Sequence, residues 1–496
     1  MGENIPPHAA ALSESLRAFG YDFQTAIADL IDNSITAGAK NIWINADWEG
    51  SESKIYITDD GNGMNQNTLV EAMRFGTYNP LEKRSKKDLG RYGLGLKTAS
   101  LSLCRKFSVI SKTADGVISS RAWDLDHIAK TNSWELLGEA NINYQYAHEC
   151  ISSKNSGTVI VWDKLDKVCG SFTKKDKDLA IFMDLLDKTK QHLSMIFHRF
   201  IDLPNGLKIF IQDRAIIPWD PFLTRHHATQ SKDIEYIKFN KQTISISPYI
   251  LPHYSMFQQE KDYKSGECVK NWNEHQGFYI YRNNRLLVSG SWLGMFSTAE
   301  HYKLARIRID IPNSLDSEWQ LDVKKSKAKF PPQLKAQFNK IASKVRSEAE
   351  KIYRHRGKII QRGATDTAGD YVWEEKIRKG KRFFTINSKH PVISDVLNNL
   401  DKKQKASFNN LLKVIAETIP VPLITLRSAE APNDFAAPYE LEKENLKRLL
   451  DSHYKNYTKK GLKHKQIIDL ISTVEPFNMY PDLLDIINEK YLNGNR

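Results

Sequence analysis

Residues 22–38 read DFQTAIADLIDNSITAG, and the interpretation of the whole chain starts from this stretch. At 3.6 residues per turn it predicts an amphipathic helix whose buried stripe is formed by Phe23, Ile27, Leu30 and Ile31. Asp29 and Asn33 lie one turn apart on the polar side, where a carboxylate and an amide can act on one ligand. Taken alone, these two residues are more simply interpreted as an ordinary solvated helix face.

The composition is that of a globular protein with several domains. A chain of 496 residues exceeds what one hydrophobic core supports, so we expect two to four domains. No apolar run approaches the roughly 20 residues that span a bilayer. The N-terminus, MGENIPPHAA, lacks the pattern of a secretory signal. We therefore expect a cytoplasmic protein with no membrane partner.

The cysteines and the net charge indicate which kinds of site and partner to expect. Cys104, Cys150, Cys169 and Cys268 are widely spaced and show no metal-binding or disulfide pattern, so we interpret them as reduced thiols. The formal net charge of +13 makes an anionic partner plausible, and nucleic acid is the natural candidate. Surplus lysine that only keeps the protein in solution accounts for the charge equally well.

Two predicted strands, 41–48 and 54–58, form a hairpin that ends in a glycine-containing turn. That turn, DDGNGM, occupies residues 59–64. Residues 76–89 are polar and basic, and they predict a mobile loop. The loop leads into GRYGLGLKT at 90–98, which opens a helix.

The remaining pattern alternates strands and helices. In the first part we predict strands at 106–112, 117–123 and 157–162 and a helix at 179–200. After a break at 204–206 we predict strands at 207–212, 277–281, 286–288 and 305–311, a strand with a lysine-rich loop at 319–330, and a helix at 332–356. A basic linker then contains Lys376, Arg378, Lys379, Lys381 and Arg382. The last helices are predicted at 402–418, 438–457, 463–473 and 480–491.

Neither common phosphate-binding fingerprint is complete. A Walker A motif places lysine directly after its second glycine, but Leu96 separates Gly95 from Lys97. The dinucleotide pattern G-x-G-x-x-G is not completed at Gly61 and Gly63 or in the later glycine run. Glycines at a helix N-terminus can still bind an anion through backbone N–H groups.

Together these stretches resemble the GHKL family of ATPases, named for gyrase, heat-shock chaperone, histidine kinase and MutL. AIADLIDNSITAGAK, DDGNG and GRYGLGLKTAS follow one another at the family's spacing, and GTVI at 157–160 is similar to a fourth motif. The glycine-rich stretch is closest to the MutL and MORC branch. The resemblance implies an α+β chain in three parts. They are a Bergerat-fold α/β sandwich ATPase domain (1–205), a ribosomal S5-like α/β transducer domain (206–356) and a mainly helical C-terminal domain with a basic linker (357–496).

The resemblance also implies roles for individual residues, with ATP and Mg²⁺ as cofactors. Asp29 would activate water, Asn33 would bind Mg²⁺, and Asp59 would accept a hydrogen bond from adenine. The other residues that would contact the nucleotide are Gly61, Gly63, Met64, Gly90, Tyr92, Gly93, Leu94, Gly95, Leu96, Lys97 and Thr158. Lys327, in the motif WQLDVKKSK, would reach the γ-phosphate from the second domain. The alternative is that Lys327 is one more exposed lysine.

One residue departs from the family and shapes the expected function. The position of the general base, most often glutamate, is Asp29, whose side chain is one methylene shorter, so we expect slow hydrolysis. ATP would order the basic loop, engage Lys327 and favour a homodimer that acts as a clamp, with DNA as the candidate partner. Proteins of this plan in phage-defence clusters make defence, and protein partners from the same operon, further expectations. The alternative is an ATP-dependent scaffold that switches protein partners with little hydrolysis.

Overall fold

The structure is a computed structural model, and it describes residues 7–76, 95–138, 144–316, 318–320, 329–362, 371–378, 381–421, 423–424 and 443–493. Two compact units, Met1–Glu350 and Lys351–Arg496, divide the chain. Several expected nucleotide contacts lie outside the described residues, namely Gly90, Tyr92, Gly93, Leu94 and Lys327, as does most of the predicted basic loop.

The first unit begins with a seven-stranded sheet. Its strands are β1 (Asn41–Asp47), β2 (Lys54–Asp59), β3 (Lys106–Lys112), β4 (Ile118–Asp124), β5 (Gly157–Asp163), β6 (Lys208–Ile211) and β7 (Arg214–Ala215). They are arranged in the order β4-β3-β5-β2-β1-β6-β7. The accompanying helices are α1 (Ala9–Leu16), α2 (Phe23–Thr36), α3 (Gln66–Met73), α4 (Gly95–Leu103), α5 (Leu125–Thr131), α6 (Gln145–Ser152), α7 (Asp176–Ile196) and α8 (His198–Ile201).

Different helices cover the two faces of this sheet. Ile55 and Ile57 of β2 belong to the main core, which also contains α2, α4 and α7, whereas Tyr56 between them packs with α6. This alternation follows from the two-residue period of a strand. The sandwich of helices and sheet agrees with the expected α+β class.

The predicted helix at 22–38 is confirmed as α2. Asp22 caps its first turn by accepting a 2.7 Å hydrogen bond from the N–H of Thr25. Gly38 follows its end with φ +78°, a conformation that favours glycine. The predicted apolar stripe is buried, with Ile27, Leu30 and Ile31 fully inaccessible. Burial of each of these side chains is worth about 1.5–3 kcal/mol.

A second, six-stranded sheet completes the first unit. Its strands are β8 (Gln230–Ser231), β9 (Glu235–Phe239), β10 (Gln242–Ile250), β11 (Gly277–Arg282), β12 (Arg285–Ser291) and β13 (Ala305–Ile311), with a short helix α9 (Glu260–Lys264) before β11. The order is β12-β11-β13-β10-β8, and β9 pairs with β10. The predicted strands at 277–281 and 305–311 are confirmed. The hairpin of β9 and β10 was not predicted, and Pro248 within β10 weakens the sequence pattern of a strand there.

The first sheet continues past the expected domain boundary near residue 205. β6 pairs in parallel with β1, and β7 pairs with β6, so residues 208–215 extend this sheet. The domain limits derived from the sequence remain predictions.

The chain then enters α10 (Lys335–Arg362). The unit from Lys351 onward contains a hairpin of β14 (Trp373–Arg378) and β15 (Lys381–Ile386). Lys376, Arg378, Lys381 and Arg382 lie in these two strands, so the prediction of a basic linker is wrong for them. The helices that follow are α11 (Pro391–Asn398), α12 (Lys402–Glu417), α13 (Lys443–Lys459), α14 (His464–Ile471) and α15 (Pro481–Asn493). Leu446, Leu450, Ile467 and Ile487 lie in their shared core.

Among the described residues, none of the helices combines the length and the apolar character that crossing a membrane requires.

Candidate functional site

A buried carboxylate stands at the end of β2. Asp59 is 6% exposed and lies opposite Thr158 in the antiparallel pairing of β2 with β5. Its Oδ2 accepts a 2.8 Å hydrogen bond from the Ser34 hydroxyl, and its Oδ1 accepts a 2.9 Å bond from the N–H of Gly61. Burial raises the pKa of the Asp59 carboxyl, and the hydrogen bonds from Gly61 and Ser34 oppose this. A carboxylate has about four acceptor positions, so Asp59 keeps capacity for a further donor.

The glycines that follow Asp59 leave no room for side chains. Gly63 has φ +68°, and a Cβ placed on it would lie 1.9 Å from the carbonyl oxygen of Lys112. A Cβ on Gly61 would lie 3.0 Å from Ala37. The backbone of this turn therefore runs directly against its neighbours.

Ser111 joins this turn to the neighbouring strands. Its hydroxyl accepts a 2.8 Å hydrogen bond from the N–H of Met64 and lies 2.9 Å from the hydroxyl of Thr158. The same hydroxyl donates to the carbonyl of Gly157 at 3.0 Å. The structure thus brings together five residues expected to contact the nucleotide, namely Asp59, Gly61, Gly63, Met64 and Thr158.

Asp29 is buried on α2 and is held by two other parts of the chain. It is 3% exposed, and its Oδ2 accepts a 2.8 Å hydrogen bond from the Tyr21 hydroxyl. Its Oδ1 lies 3.7 Å from Nη2 of Arg285, which comes from β12 of the second sheet. Arg285 also donates from Nε to both oxygens of Asp32, at 2.9 and 2.7 Å. Asp32 therefore serves as the partner of an arginine.

Gly95, the first residue of α4, lies beside the Asp29 carboxylate. A Cβ placed on Gly95 would be 3.6 Å from Oδ2 of Asp29, so the N-terminus of α4 adjoins the polar side of α2. Leu96, the next residue, is half-buried and packs against the main core. The structure therefore brings the first motif together with the end of the glycine-rich motif.

Lys97 has a partner other than the one that the motif suggests. Its side chain is 2% exposed, and Nζ donates 2.9 Å hydrogen bonds to the carbonyls of Ala72 and Arg74 at the end of α3. Burial lowers the pKa of the Lys97 ammonium from 10.5 to about 8. Lys97 therefore fastens α3 to α4, and its expected phosphate contact remains a prediction.

Asn33 is exposed on α2, where its amide oxygen is accessible to a ligand. Among the described residues, no group of three or more His, Cys, Asp or Glu side chains could hold a metal ion. A metal at Asn33 would thus take most of its ligands from phosphate oxygens and water, which suits Mg²⁺. The donor set fits a metal that arrives with a nucleotide.

Ser34, Ser111, Tyr21 and Arg285 were missed by the sequence reasoning. Ser34 follows Asn33 directly and could have been suspected from its place one turn after Leu30 on the buried side of α2. Arg285 stands before an apolar run in a predicted strand, and a charge at such a position is a recognisable signal. Neither Tyr21 nor Ser111 carries a signal in the sequence.

The fold and the site define a nucleotide-binding domain in which a helix carrying Asp29 and Asn33 packs on a mixed sheet. Residues 21–158 match the family model of histidine kinase-, DNA gyrase B- and HSP90-like ATPases. This match confirms the resemblance to the GHKL ATPases: the chain contains a domain of that family.

Two MORC proteins are among the relatives. ATPase morc-1 of Caenorhabditis elegans is 32% identical over 96 residues, which cover 19% of this chain and 11% of that protein. MORC family CW-type zinc finger protein 3 of Mus musculus is 31% identical over 93 residues, which cover 18% of this chain and 10% of that protein. The chain thus matches only about a tenth of the length of these relatives.

Among solved structures, the ATPase and transducer domains of DNA topoisomerase II from Balamuthia mandrillaris are similar with a TM-score of 0.37 and 11% identity. That likeness covers 68% of this chain and 86% of the other.

Proposed function

We propose that this protein binds ATP between α2, the turn after β2 and the N-terminus of α4, and that it hydrolyses ATP slowly. The observation that carries the proposal is the buried Asp59 carboxylate, which keeps acceptor capacity beside a glycine that admits no side chain. A ligand that offers a flat ring with an amino donor suits this arrangement. Adenine has both features.

The adenine amino group would donate to Asp59, with Thr158 beside it on β5. The phosphates would lie toward Gly95, where the first backbone N–H groups of α4 and its helix dipole favour negative charge. Mg²⁺, held by Asn33 and the phosphates, would supply positive charge near the oxygens of the terminal phosphoryl group. These placements follow the positions of the motifs along α2, β2 and α4.

Asp29 would orient the attacking water and accept its proton. The Tyr21 hydroxyl holds its carboxylate, and Arg285 lies 3.7 Å from it. The Asp29 side chain is one methylene shorter than the usual glutamate, which supports slow turnover.

Binding is tested by Asp59→Asn in the full chain. The amide would present an N–H toward the adenine amino group or toward the Ser34 and Gly61 donors. A hydrogen bond to a charged group is worth about 1.5–3 kcal/mol, so ATP affinity should fall about 10- to 100-fold. Asp47→Asn, at the exposed end of β1, is the matched control and should bind like the wild type. Equal affinities for the two variants, measured by calorimetry, would contradict this adenine site.

Hydrolysis is tested by phosphate release under single-turnover and steady-state conditions. Asp29→Asn should retain ATP binding and lose turnover, because an amide cannot accept the proton of the attacking water. A turnover number as high as that of a motor ATPase in the wild type would contradict the expectation of slow hydrolysis.

We further propose that ATP closes a dimeric clamp on DNA. The net charge of +13 supports a nucleic-acid partner. Sedimentation with a non-hydrolysable ATP analogue should show a dimer, and DNA should stimulate hydrolysis with an affinity that falls steeply as salt rises. A monomer with and without the analogue would refute the clamp. Phage defence and operon partners rest on the sequence resemblance alone.

A scaffold that switches protein partners with little hydrolysis is the second candidate. The short Asp29 side chain at the position of the general base favours it. Under this alternative, Asp29→Asn should keep the biological function and show the same nucleotide-dependent oligomeric state as the wild type. A hydrolytic clamp should lose its function with the same substitution.

A further inference from the structure

The second sheet contributes one arginine to the surroundings of Asp29. Arg285 is the first residue of β12 and follows a two-residue turn, Asn283 and Asn284, whose φ values are +47° and +69°. Such a turn joins two antiparallel strands tightly. Arg285 is only 3% exposed, so its guanidinium is buried between the hairpin and α2.

The guanidinium of Arg285 contacts two carboxylates at once. Nε donates to both oxygens of Asp32, and Nη2 lies 3.7 Å from Oδ1 of Asp29. The guanidinium carbon also lies 5.8 Å from the centroid of the Phe197 ring, which is fully buried. Arginine can make these contacts together because its donors point in several fixed directions, whereas lysine offers one compact charge.

We infer that Arg285 is a positioning residue for the Asp29 carboxylate. Tyr21 holds Oδ2 of that carboxylate, and Arg285 approaches it from the Oδ1 side. Removal of either contact lets the carboxylate turn away from the water that it orients. The rate of hydrolysis therefore depends on the position of the β11–β12 hairpin of the second sheet relative to α2. This inference rests on the proposed ATP hydrolysis.

The same hairpin offers a matched control. Arg282 is the last residue of β11, pairs with Arg285 across the turn and is also 3% exposed. Its ion pair is with Asp316, at 3.1 Å. Arg282→Met therefore removes a comparable buried arginine from the same hairpin and spares the ion pairs on α2.

The kinetic test compares Arg285→Met, Arg285→Lys and Arg282→Met in the full chain. A displacement of about 1 Å in a reacting group can cost about 100-fold in rate, so kcat should fall about 10- to 100-fold in both Arg285 variants. The affinity for a non-hydrolysable ATP analogue should stay within about threefold, because Arg285 affects the chemical step. Arg282→Met should keep most of the rate. Equal losses in Arg282→Met and Arg285→Met, or a wild-type rate in Arg285→Lys, would overturn the inference.

A second measurement does not depend on activity. Without Arg285, the Asp29 carboxylate is a buried charge that has lost a partner, so Asp29→Asn should raise the thermal midpoint of Arg285→Met. In the wild type the same substitution should leave the midpoint unchanged or lower it. If Asp29→Asn shifts the thermal midpoint equally in the wild type and in Arg285→Met, Arg285 does not hold the Asp29 carboxylate and the inference is overturned. Wild-type protein that binds ATP without turnover would refute the proposed hydrolysis, and the midpoints would still decide whether Arg285 holds Asp29.

Discussion

Lys97 allows a prediction whose size follows from the structure. Its ammonium is 2% exposed, and burial lowers its pKa from 10.5 to about 8. The difference corresponds to about 3 kcal/mol of folding free energy at pH 7. The two carbonyls that accept from Nζ favour the ammonium, so this is an upper limit.

The sign of the pH dependence follows from which state binds the proton more tightly. Between pH 8 and 10.5 the unfolded chain keeps the Lys97 proton and the folded protein releases it, so stability rises with pH in this window. The penalty is complete below about pH 8 and absent above about 10.5. Between pH 7 and pH 10 the gain is at most about 2.5 kcal/mol.

Urea unfolding of the full chain and of Lys97→Met at several pH values measures this gain. Trp123 is a suitable fluorescent reporter, because its Nε1 donates to the carbonyl of Met73 at the end of α3. The stability of the wild type relative to Lys97→Met should rise by up to about 2.5 kcal/mol from pH 7 to pH 10. Lys130→Met removes an exposed lysine and should show no such trend relative to the wild type. A flat difference between wild type and Lys97→Met would refute the argument from burial.

Three further predictions concern other parts of the chain. Gly63→Ala should weaken ATP binding more than tenfold, since its Cβ would collide with a backbone carbonyl of β3. Gly76→Ala, at a similar φ of +74° and with no described residue within 4 Å of its Cβ, should not, and equal effects in calorimetry would contradict this. Ser34→Ala removes a hydroxyl donor from the carboxylate at the end of β2 and should lower stability by about 1–3 kcal/mol in urea, a loss that an unchanged midpoint would rule out. Leu450→Ala, at a side chain only 1% exposed, should cost about 2–5 kcal/mol in urea unfolding, against less than about 0.5 kcal/mol for Leu411→Ala, which is 53% exposed; similar costs would contradict the core of the C-terminal unit.

Local patterns were enough to predict α2, the strands β1 to β5 and the turn after β2. The stripe of α2, the strand before Asp59 and the glycines after it follow from periodicity and turn chemistry, which act between residues close in sequence. The same local reasoning failed at 373–378 and 381–386, where basic residues suggested a linker and the backbone instead forms two paired strands. The charge of a segment does not decide whether it forms a strand. Strand pairing depends on which side chains meet across the two strands.

The sequence by itself determined which apolar side chains of α2 face the core and that a glycine-containing turn follows β2. Only the tertiary structure decided what the polar residues contact. Asp32 pairs with Arg285, 253 residues away, and Lys97 turns to the carbonyls of α3. Such partners depend on which strands and helices become neighbours, and a buried polar group takes the partner that this packing supplies, because leaving it without one is costly.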